Sequence, residues 1–535
     1  MAATPATSLT LVSSGLADAR QRAALGNPDV NQFFTVLRKT TRWAAQWNRV
    51  EFDGGVEFGT RVSLTLPRIG ELVSALNIVV TLPDIYAPQL AAIKAAGGTS
   101  LDATGAFLGP VYGWTNAVGH ALIQQIELEI GGTIVETLDS RALEILDELY
   151  ESVESSVTKN AMIKRAPGGF TARTWLSAEP LTVYVPIPFW FSRRGGAAYA
   201  LPLDALSADI VRIHVTFRPV EQLYYTEARV NAATVGYRAG IDPPPGSMWG
   251  LTGGRFWASN SAVSSRVYDM TTATPPGGVA GELIAGVTMP SRFSPVDAYA
   301  LVEYVSLEDY EAQLFRTAEL TYHVPQHVAV PVTPTLGQRE IRVPLPYSNP
   351  VAELYWVAQR PEAATYNAWF LFTRDLEPVV PPQAPPTASS LCAIPWWPDA
   401  VLLPSASQQW QITPAFQTSY SEPIEGAILL YNSFDRFVHM GGSFFRGVVP
   451  ALAFTKSSPI DRYIYAYAFG RRGAFGDYAP RGVANWDKIP RKELFITMAP
   501  ARNGLPPPPM NIYVYVRQIN VFKVYGGRGG MLFTN

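Results

Sequence analysis

The sequence predicts an all-β fold made mainly of antiparallel strands. Three observations lead to this expectation: apolar residues recur at every second position in many short segments, glycine and proline are frequent, and the spacing typical of long amphipathic helices is scarce. The chain has 535 residues, including 42 glycines and 45 prolines, so about one position in six favours a turn. Strands do not alternate with helices, which disfavours a parallel α/β sheet.

The composition is that of a chain with a large apolar interior and almost no net charge. Hydrophobic residues make up 47% and charged residues 16%, and 42 basic side chains nearly cancel 44 acidic ones. These values exclude disorder for most of the chain and exclude a generally basic nucleic-acid binder. The one cysteine, Cys392, excludes an intrachain disulfide and a cysteine-based metal cluster, and it fits a reducing compartment. No apolar run reaches the roughly 18–20 residues that span a bilayer, and no signal-peptide pattern is present.

Strand predictions in the first half rest on strict alternation of apolar and polar residues. Arg61–Leu66, Gln125–Ile130 and Arg212–Phe217 each place three large apolar side chains on one face. Such segments are typical of half-buried antiparallel strands. Gly131-Gly132 separates the second segment from Thr133–Leu138, and because glycine adopts positive φ at little cost, this pair predicts a tight hairpin.

In the second half, aromatic residues occupy many of the alternate positions. Tyr463, Tyr465 and Tyr467 share one face of a predicted strand. Both faces of Asn511–Val516 are largely apolar or aromatic. This pattern predicts a strand that is covered on both sides.

Two short helices are expected among the strands. Ser140–Glu151 has a single apolar stripe, and Asp139 or Ser140 can cap its N-terminus. Leu307–Phe315 is the second candidate. The first helix also carries acidic residues, which we expect on its solvent side: Glu144, Asp147, Glu148 and Glu151.

Glycine and proline clusters divide the chain into segments. Residues 1–30 are small and polar and are interpreted as an N-terminal arm, and residues 31–225 hold a first dense set of strands. Residues 226–295 are interpreted as a linker or insertion loop. A second set of strands is expected over 296–535, interrupted by the proline-rich insertion 378–404, because proline cannot donate to a central sheet.

Two pairs of polar residues resemble catalytic or metal-binding arrangements. His323 and His327 have the spacing of a helical zinc pair, but Pro325 and the strand-like context place them about 13 Å apart, too far to share one metal. Glu127 and Glu129 lie on one strand face about 6.5–7 Å apart, a separation that glycoside hydrolysis permits. We interpret the histidines as strand residues and the glutamates as part of a solvated sheet face.

The remaining motifs also favour structural interpretations. Gly526–Gly530 (GGRGG) lacks a following helix that would form a phosphate cradle, so we expect a flexible C-terminal tail. Cys392 has no catalytic signature around it, and Trp396-Trp397 is expected to pack within a long loop rather than to stack on sugars or bases. The sequence therefore predicts no catalytic, cofactor-binding or metal-binding residues, and it favours an assembly subunit over an enzyme.

Seven stretches, taken in chain order, carry recognisable motifs. They are residues 61–83 (RVSLTLPRIGELVSALNIVVTLP), 116–150 (with the strand–Gly-Gly–strand–helix unit), 185–217 (beginning VPIPFWF), 349–359 (NPVAELYWVAQ), 427–437 (AILLYNSFDRF), 485–498 (NWDKIPRKELFITM) and 513–535 (ending YGGRGGMLFTN). Together they resemble the major capsid proteins of nucleocytoplasmic large DNA viruses. The sequence departs from the usual family pattern at Trp486-Asp487-Lys488, where Phe-Ser-Arg is common, and at the two apparent insertions.

The resemblance implies a fold and a role. The fold would be two tandem eight-stranded antiparallel jelly rolls with short helices and long loop insertions. Three chains would form a pseudo-hexagonal capsomer that tiles the icosahedral shell of a large double-stranded DNA virus, assembled in the host cytoplasm or nucleus. The partners would be further copies of the chain and minor capsid and penton proteins on the inner face, without direct contact to nucleic acid and with an internal membrane nearby. The arm would face the interior, and residues 226–295 and 378–404 would lie outside or against neighbours.

A second class of function is also compatible with a β sandwich. A carbohydrate-binding or carbohydrate-active protein could use Trp396-Trp397 to stack on sugars and Glu127 with Glu129 for hydrolysis. A receptor-attachment spike is a third alternative, which the absence of sequons and disulfides disfavours. Oligomeric state separates the first two, because a shell subunit is expected to be a stable trimer.

Overall fold

The computed structural model describes most of the two strand-rich regions. The described residues are 42–84, 111–165, 181–192, 199–229, 255–257, 266–268, 283–288, 294–365, 367, 369–374, 422–456, 463–470, 482–500 and 506–533. The predicted arm, Cys392 and the insertion 378–404 with Trp396-Trp397 lie outside the described residues.

Strands dominate both halves of the chain. Those of the first half are β1 (Trp43–Glu51), β2 (Arg61–Thr65), β3 (Leu72–Leu82), β4 (Val111–Trp114), β5 (Ile123–Ile130), β6 (Thr133–Asp139), β7 (Leu181–Pro186), β8 (Val211–Phe217), β9 (Tyr224–Arg229), β10 (Arg255–Trp257), β11 (Arg266–Tyr268), β12 (Leu283–Thr288) and β13 (Asp297–Leu307). Those of the second half are β14 (Leu320–Ala329), β15 (Thr333–Pro334), β16 (Glu340–Pro344), β17 (Pro350–Gln359), β18 (Ile424–Tyr431), β19 (Phe434–Asp435), β20 (Met440–Gly441), β21 (Tyr465–Ala468), β22 (Ala484–Asn485), β23 (Lys492–Met498), β24 (Asn511–Tyr525) and β25 (Arg528–Met531).

Helices are short and lie in the connections between strands. They are α1 (Val118–Leu122), α2 (Ser140–Tyr150), α3 (Val153–Ile163), α4 (Asp309–Thr317), α5 (Pro361–Thr365) and α6 (Val449–Ala453), with a π-helical turn over Phe444–Val448 leading into α6 and 3₁₀ turns at Val220–Gln222 and Trp486–Lys488. The connections therefore supply most of the surface that is not sheet.

The two halves repeat one strand order. In the first half, one sheet runs β1-β13-β3-β7 and the other runs β2-β8-β5-β6, and in the second half the main paths are β14-β24-β17-β21 and β16-β23-β18-β19. When the strands on these paths are counted from first to eighth in each half, both halves have one sheet in the order first–eighth–third–sixth and one in the order second–seventh–fourth–fifth. The reported pairings between these strands are antiparallel. This arrangement is a jelly roll, so the predicted pair of tandem jelly rolls is confirmed.

The predicted boundary between the two jelly rolls is wrong by one strand. β13 was expected to open the second strand set, which was placed at 296–535, but it pairs with β3 of the first half from Asp297↔Thr81 to Val305↔Leu72. The segment 226–295 is therefore an insertion between the seventh and eighth strands of the first jelly roll, and it contains the short strands β10, β11 and β12. The boundary was misplaced because β13 is close in sequence to the second half while its partner lies far upstream.

Local turn and strand predictions in the first half are confirmed. β5 and β6 form a hairpin that closes at Ile130↔Thr133, and Gly131 and Gly132 adopt φ of +59° and +84°. The alternation of β8 places Ile213, Val215 and Phe217 inside and leaves its polar residues outside. Glycine is needed at the turn because other residues rarely adopt this conformation.

The predicted helices are present with shifted ends. α2 begins after Asp139, whose Oδ1 accepts a hydrogen bond from the Ala142 backbone N–H at 2.7 Å. The second predicted helix, Leu307–Phe315, is observed as α4 over Asp309–Thr317. α3 was not predicted because its sequence, VESSVTKNAMI, is only weakly amphipathic. Ser152 caps α3 by accepting a hydrogen bond from the Ser155 N–H at 3.2 Å.

The sheets of each jelly roll bury their inner faces in a continuous core. Aliphatic residues such as Ile78, Ile126 and Val215 line the first interior, and the second is more aromatic. There the rings of Trp356 and Tyr465 stack with centroids 6.1 Å apart. Each buried aliphatic or aromatic side chain stabilises the fold by roughly 1.5–3 kcal/mol. Packing in the two interiors therefore fixes the positions of the strands and helices in each jelly roll.

Gly131 and Gly132 form a matched pair for testing the hairpin turn. A Cβ at Gly131 would lie 2.8 Å from the Asp209 carboxyl carbon, whereas a Cβ at Gly132 would meet nothing within 4 Å. Gly132→Ala is expected to lower the free energy of unfolding by about 1–2 kcal/mol through backbone strain alone. Gly131→Ala is expected to cost about 1–3 kcal/mol more because it also displaces Asp209. Urea unfolding of both variants measures the difference, and equal losses would contradict the predicted contact.

Candidate functional site: the seam between the two jelly rolls

The two jelly rolls meet along one surface, which we call the seam. On one side lies the outer face of the sheet that contains β14, β24 and β17. On the other side lie β6 and α2 of the first jelly roll. Because β17 has the first jelly roll on one face and its own core on the other, nine of its ten residues are buried. The prediction that Asn511–Val516 in β24 is covered on both sides is confirmed for the same reason.

A buried polar cluster lies near the C-terminal end of α2. The Tyr150 hydroxyl donates to the Glu353 carboxylate and lies 2.7 Å from the Tyr355 hydroxyl, which donates to the same carboxylate. Arg517 Nη1 donates to the Tyr150 hydroxyl at 2.6 Å and to Glu353 Oε2 at 3.0 Å. A tyrosine from the first jelly roll thus completes an ion pair that belongs to the second.

The electrostatics of this cluster favour its charged form. Burial by itself would raise the pKa of Glu353, but Arg517 and the two tyrosine hydroxyls outweigh it and hold the pKa below its ordinary value. Burial likewise opposes the charge of Arg517, yet Glu353 raises its pKa well above the usual range. Both groups are therefore ionised in the folded protein, because each compensates the charge of the other where water is largely excluded.

A second set of contacts lies at the N-terminal end of α2. The Tyr515 hydroxyl donates to the Asp139 carboxylate at 2.8 Å, so the residue that caps α2 also binds the second jelly roll. Arg141 Nη2 donates to the Gln359 side-chain oxygen at 2.9 Å, and its guanidinium lies 4.0 Å from the centre of the Tyr513 ring. Both ends of α2 are consequently fixed against the second jelly roll.

The acidic side of α2 is buried, which corrects the expectation of a solvent-facing surface. Arg165, which follows α3, binds Glu144 Oε2 at 2.6 Å and Asp147 Oδ2 at 2.5 Å. His120 Nδ1 lies 2.6 Å from Glu144 Oε2. Lysines pair with the same acidic group: Lys159 is 2.5 Å from Asp147 and 3.1 Å from Glu151, and Lys456 of the second jelly roll is 3.2 Å from Glu148.

The prediction that the acidic side of α2 is exposed to solvent was wrong because its cationic partners are remote in sequence. Helical periodicity shows that these residues share a face, but it carries no information about a cation supplied by another segment. Burial alone would raise the pKa of Asp147, but Lys159 and Arg165 hold it well below its usual range. No group of three or more His, Cys, Asp or Glu residues in the described segments is arranged to hold a metal ion.

Two sheet edges face each other at the seam. Gln326 of β14 donates to the Val135 carbonyl of β6, and His327 Nδ1 lies 3.2 Å from Glu136 Oε1. Side chains thereby form hydrogen bonds with backbone groups that an exposed sheet edge would leave free to pair with another protein. A crevice of about 450 Å³ lies along this edge, and both His327 and Glu136 line it.

The residues considered for metal binding and catalysis have separate positions and partners in the structure. His323 is exposed on β14 while His327 is buried in the seam. Glu127 pairs with Arg61 at 2.5 Å, and Glu129 pairs with His214 at 2.7 Å. The two glutamates thus pair with side chains on other strands of the same sheet. Their carboxylates are more buried than we expected for a solvated sheet face.

The GGRGG segment forms a hairpin, which corrects the expectation of a flexible tail. Gly526 and Gly527 adopt φ of +60° and +81° at the turn between β24 and β25. The Ala208 N–H donates to the Gly527 carbonyl at 2.9 Å, and the Gly529 N–H donates to Asp209 Oδ2 at 2.8 Å. The last described strand is therefore bound to a loop of the first jelly roll, and it extends the seam.

Glycine is required where this hairpin meets that loop. A Cβ at Gly529 would lie 2.5 Å from Leu206 Cδ2 and 2.8 Å from Phe522 Cζ. A Cβ at Gly530 would meet nothing within 4 Å. Composition alone suggested flexibility, because a glycine that permits close approach and a glycine in a disordered tail look identical in sequence.

Substitution of these two glycines tests the bound hairpin. Gly529→Ala is expected to lower the free energy of unfolding by about 1–3 kcal/mol because the added methyl group overpacks the contact. Gly530→Ala, its neighbour in the same strand, is the matched control and is expected to change the free energy by less than about 0.5 kcal/mol. Hydrogen exchange at the Ala208 and Gly529 amides should accelerate only in the first variant, and protection retained in both variants would refute the assignment.

Acid should weaken the seam through Glu353. Because the folded pKa of Glu353 lies below its ordinary value of 4.5, the stability it contributes is present above that pH and is lost as the pH falls through the folded pKa. Glu353→Gln leaves Arg517 buried without its charge partner and is expected to cost about 3–5 kcal/mol at pH 7. Urea unfolding between about pH 7 and pH 3 should show a shallower pH dependence for this variant than for wild type. Glu425→Gln, which removes an exposed partner of Arg339, is the control.

Family models match both halves of the chain. Residues 31–263 match the model described as major capsid protein N-terminus, and residues 311–530 match the model described as large eukaryotic DNA virus major capsid protein. The two matches fall on the two jelly rolls in the order of the chain. No helix within the described part of the chain is long and apolar enough to span a membrane.

Relatives and solved structures agree with this assignment. The chain is 23% identical to the major capsid protein of Chrysochromulina ericina virus, across 95% of this chain and 97% of that protein. It is 30% identical over 207 residues to capsid protein 1 of Acanthamoeba polyphaga mimivirus, a match that spans 37% of this chain and 32% of that protein. The Faustovirus major capsid protein has the same fold, with a TM-score of 0.62 at 13% identity over 97% of this chain and 96% of that one. The chain belongs to the family of major capsid proteins of large eukaryotic DNA viruses.

Proposed function

We propose that this chain is the structural building block of an icosahedral virion shell. Three copies associate into a pseudo-hexagonal capsomer, and the capsomers tile the shell of a large double-stranded DNA virus. The role is structural rather than catalytic. The observation that carries the proposal is the repeated strand order, because a chain with two equivalent jelly rolls can fill two of six similar positions around an axis.

The seam supports this proposal because it joins the two jelly rolls through buried contacts. Hydrogen bonds of Tyr150 link α2 to β17 and β24, and Lys456 of the second jelly roll pairs with Glu148 of α2. The β24–β25 hairpin binds the loop at Ala208–Asp209. Contacts of this kind leave little freedom for one jelly roll to rotate against the other. A fixed angle between two jelly rolls is what a closed ring of six requires.

The remaining partners follow from a shell position. We assign residues 226–295 and 378–404 to the outer face or to contacts with neighbouring capsomers, and the N-terminal arm to the inner face. Minor capsid and penton proteins would bind that inner face, above an internal membrane. Assembly would take place in the host cytoplasm or nucleus.

Size-exclusion chromatography with light scattering tests the trimer. The expected mass is about 175 kDa, three times the chain mass of 58.5 kDa. Electron microscopy of the same sample at high concentration should show hexagonal arrays, because capsomers of this shape pack in a plane. A purified wild-type chain that remains a monomer under all conditions would contradict the proposal.

The order of dissociation tests the hierarchy of contacts. Contacts within a trimer should be large and partly apolar, whereas contacts between trimers should be smaller and more polar so that misplaced units can leave the lattice. Raised salt is therefore expected to release intact trimers from particles before any monomer appears. Light scattering and native mass measurement follow the products, and direct release of folded monomers would show that the hierarchy is wrong.

A further inference from the structure

The repeated strand order gives each surface of one jelly roll an equivalent on the other. At the seam, the second jelly roll presents the outer face of its first–eighth–third–sixth sheet. The first jelly roll presents its fifth strand, β6, and the helical connection that follows, α2. The equivalent surfaces are the outer face of β1-β13-β3-β7 and the connection that follows β19, and the described residues do not bring these two together within one chain.

The first of these unused surfaces combines aromatic with charged side chains, and we call it the sheet surface. Arg49 of β1 pairs there with Glu51 and Asp297. Arg49 of β1 lies with its guanidinium 3.8 Å from the centre of the Tyr299 ring in β13. Tyr299 pairs with Val79, and Val79 pairs with Tyr184, so a row of apolar and aromatic residues crosses the outer face. Trp47 shares this face with Arg49 by strand alternation and is 50% exposed. An outer sheet face that contacts only water is normally polar.

Val79 shows that this face is built for packing. It is fully buried, although it points away from the core that its chain neighbours Ile78 and Val80 line. Its cross-strand neighbours on that face are Tyr299 of β13 and Tyr184 of β7. The sheet surface therefore has the same character as the covered face of the second jelly roll, where Tyr355 and Tyr515 accompany an arginine.

The second unused surface is the outer side of residues 444–453, which we call the helix surface. The segment reads FFRGVVPALA and contains one charged residue, Arg446. That side chain points inward, with Nε 3.3 Å from Glu422 Oε1, so the outer side has no charge. Val448 is 46% exposed and Leu452 is 69% exposed. A helical segment that is apolar all round is expected to be covered on all sides.

The start of this segment is held rigidly in an uncommon conformation. Phe444–Val448 forms a π-helical turn, a feature that often marks a functional position. Phe445 fixes the turn from within by packing against Trp356, with ring centroids 5.1 Å apart. The helix surface is thus presented on a preorganised element, which lowers the entropy cost of binding.

We propose that the sheet surface of one copy binds the helix surface of a second copy, so that the seam within the chain is repeated between chains. This inference rests on the trimer proposed above and names its contact. A second copy is the occupant because the chain already holds the equivalent pair of surfaces in contact at its own seam. The two surfaces differ, so the contact is head-to-tail, and three chains close a ring of six jelly rolls.

Two charge-introducing variants test the contact from its two sides. Trp47→Glu and Leu452→Glu each place a carboxylate on one of the two surfaces, and each is expected to convert the trimer to a 58.5 kDa monomer by light scattering. Tyr310→Glu is the matched control, because Tyr310 is 74% exposed on α4, outside both surfaces, and this variant should remain trimeric. Far-UV circular dichroism verifies that each variant is folded.

A mixture of the two variants tests the head-to-tail geometry. Trp47→Glu retains an intact helix surface, and Leu452→Glu retains an intact sheet surface. The mixture should therefore form a heterodimer of twice the chain mass that cannot close into a ring. If each surface instead paired with its own kind, each variant alone would dimerise through its intact surface, and the head-to-tail proposal would fall.

The outcomes separate this inference from the proposed function. Wild type that forms trimers while both variants also remain trimeric overturns the contact and leaves the capsomer standing. Wild type that stays monomeric overturns both proposals. Leu452 is largely exposed in the single chain, so Leu452→Glu is compatible with folding. This variant therefore tests the contact between chains even if Trp47→Glu does not fold.

Discussion

The seam depends on one constraint, which is that a charge removed from water must be paired. Arg165 is buried and the Arg517 side chain is only 14% exposed, and each is paired with acidic and hydrogen-bonding side chains. Replacing such pairs with apolar residues is often neutral for stability, whereas removal of one partner is costly. A misaligned seam would leave charges unpaired, so we infer that the network specifies one relative orientation of the jelly rolls more than it adds stability.

Interactions within the chain and between chains face different requirements. The seam joins two parts of one molecule, whose effective concentration for each other is high, so it can include desolvated charges that add little net free energy. Association between separate chains must also offset lost translational and rotational freedom. Apolar area is better suited to that task, and Trp47, Val448 and Leu452 expose such area on the sheet and helix surfaces.

The sequence predicted local structure well and long-range contacts poorly. Alternation located β2, β5 and β8, and Gly131-Gly132 located a hairpin, because both signals are properties of a few adjacent residues. The seam depends on partners that are remote along the chain, such as Tyr150 with Glu353, and no local pattern encodes them. One sequence signal did indicate the seam. The start of β24 is apolar on both faces, and a strand of that kind needs a second covering layer.

The insertion between the seventh and eighth strands of the first jelly roll also has a consequence for synthesis on the ribosome. Chains generally fold domain by domain from the N-terminus as they emerge. β3 can pair early with β7, but its second neighbour, β13, is absent until Asp297–Leu307 has left the exit tunnel, after the whole of 226–295 has been translated. The entropy cost of closing so long a loop grows only slowly with its length, so the delay is kinetic rather than thermodynamic. During that interval the nascent chain exposes an unpaired strand edge, and the first jelly roll closes only after translation of the second has begun.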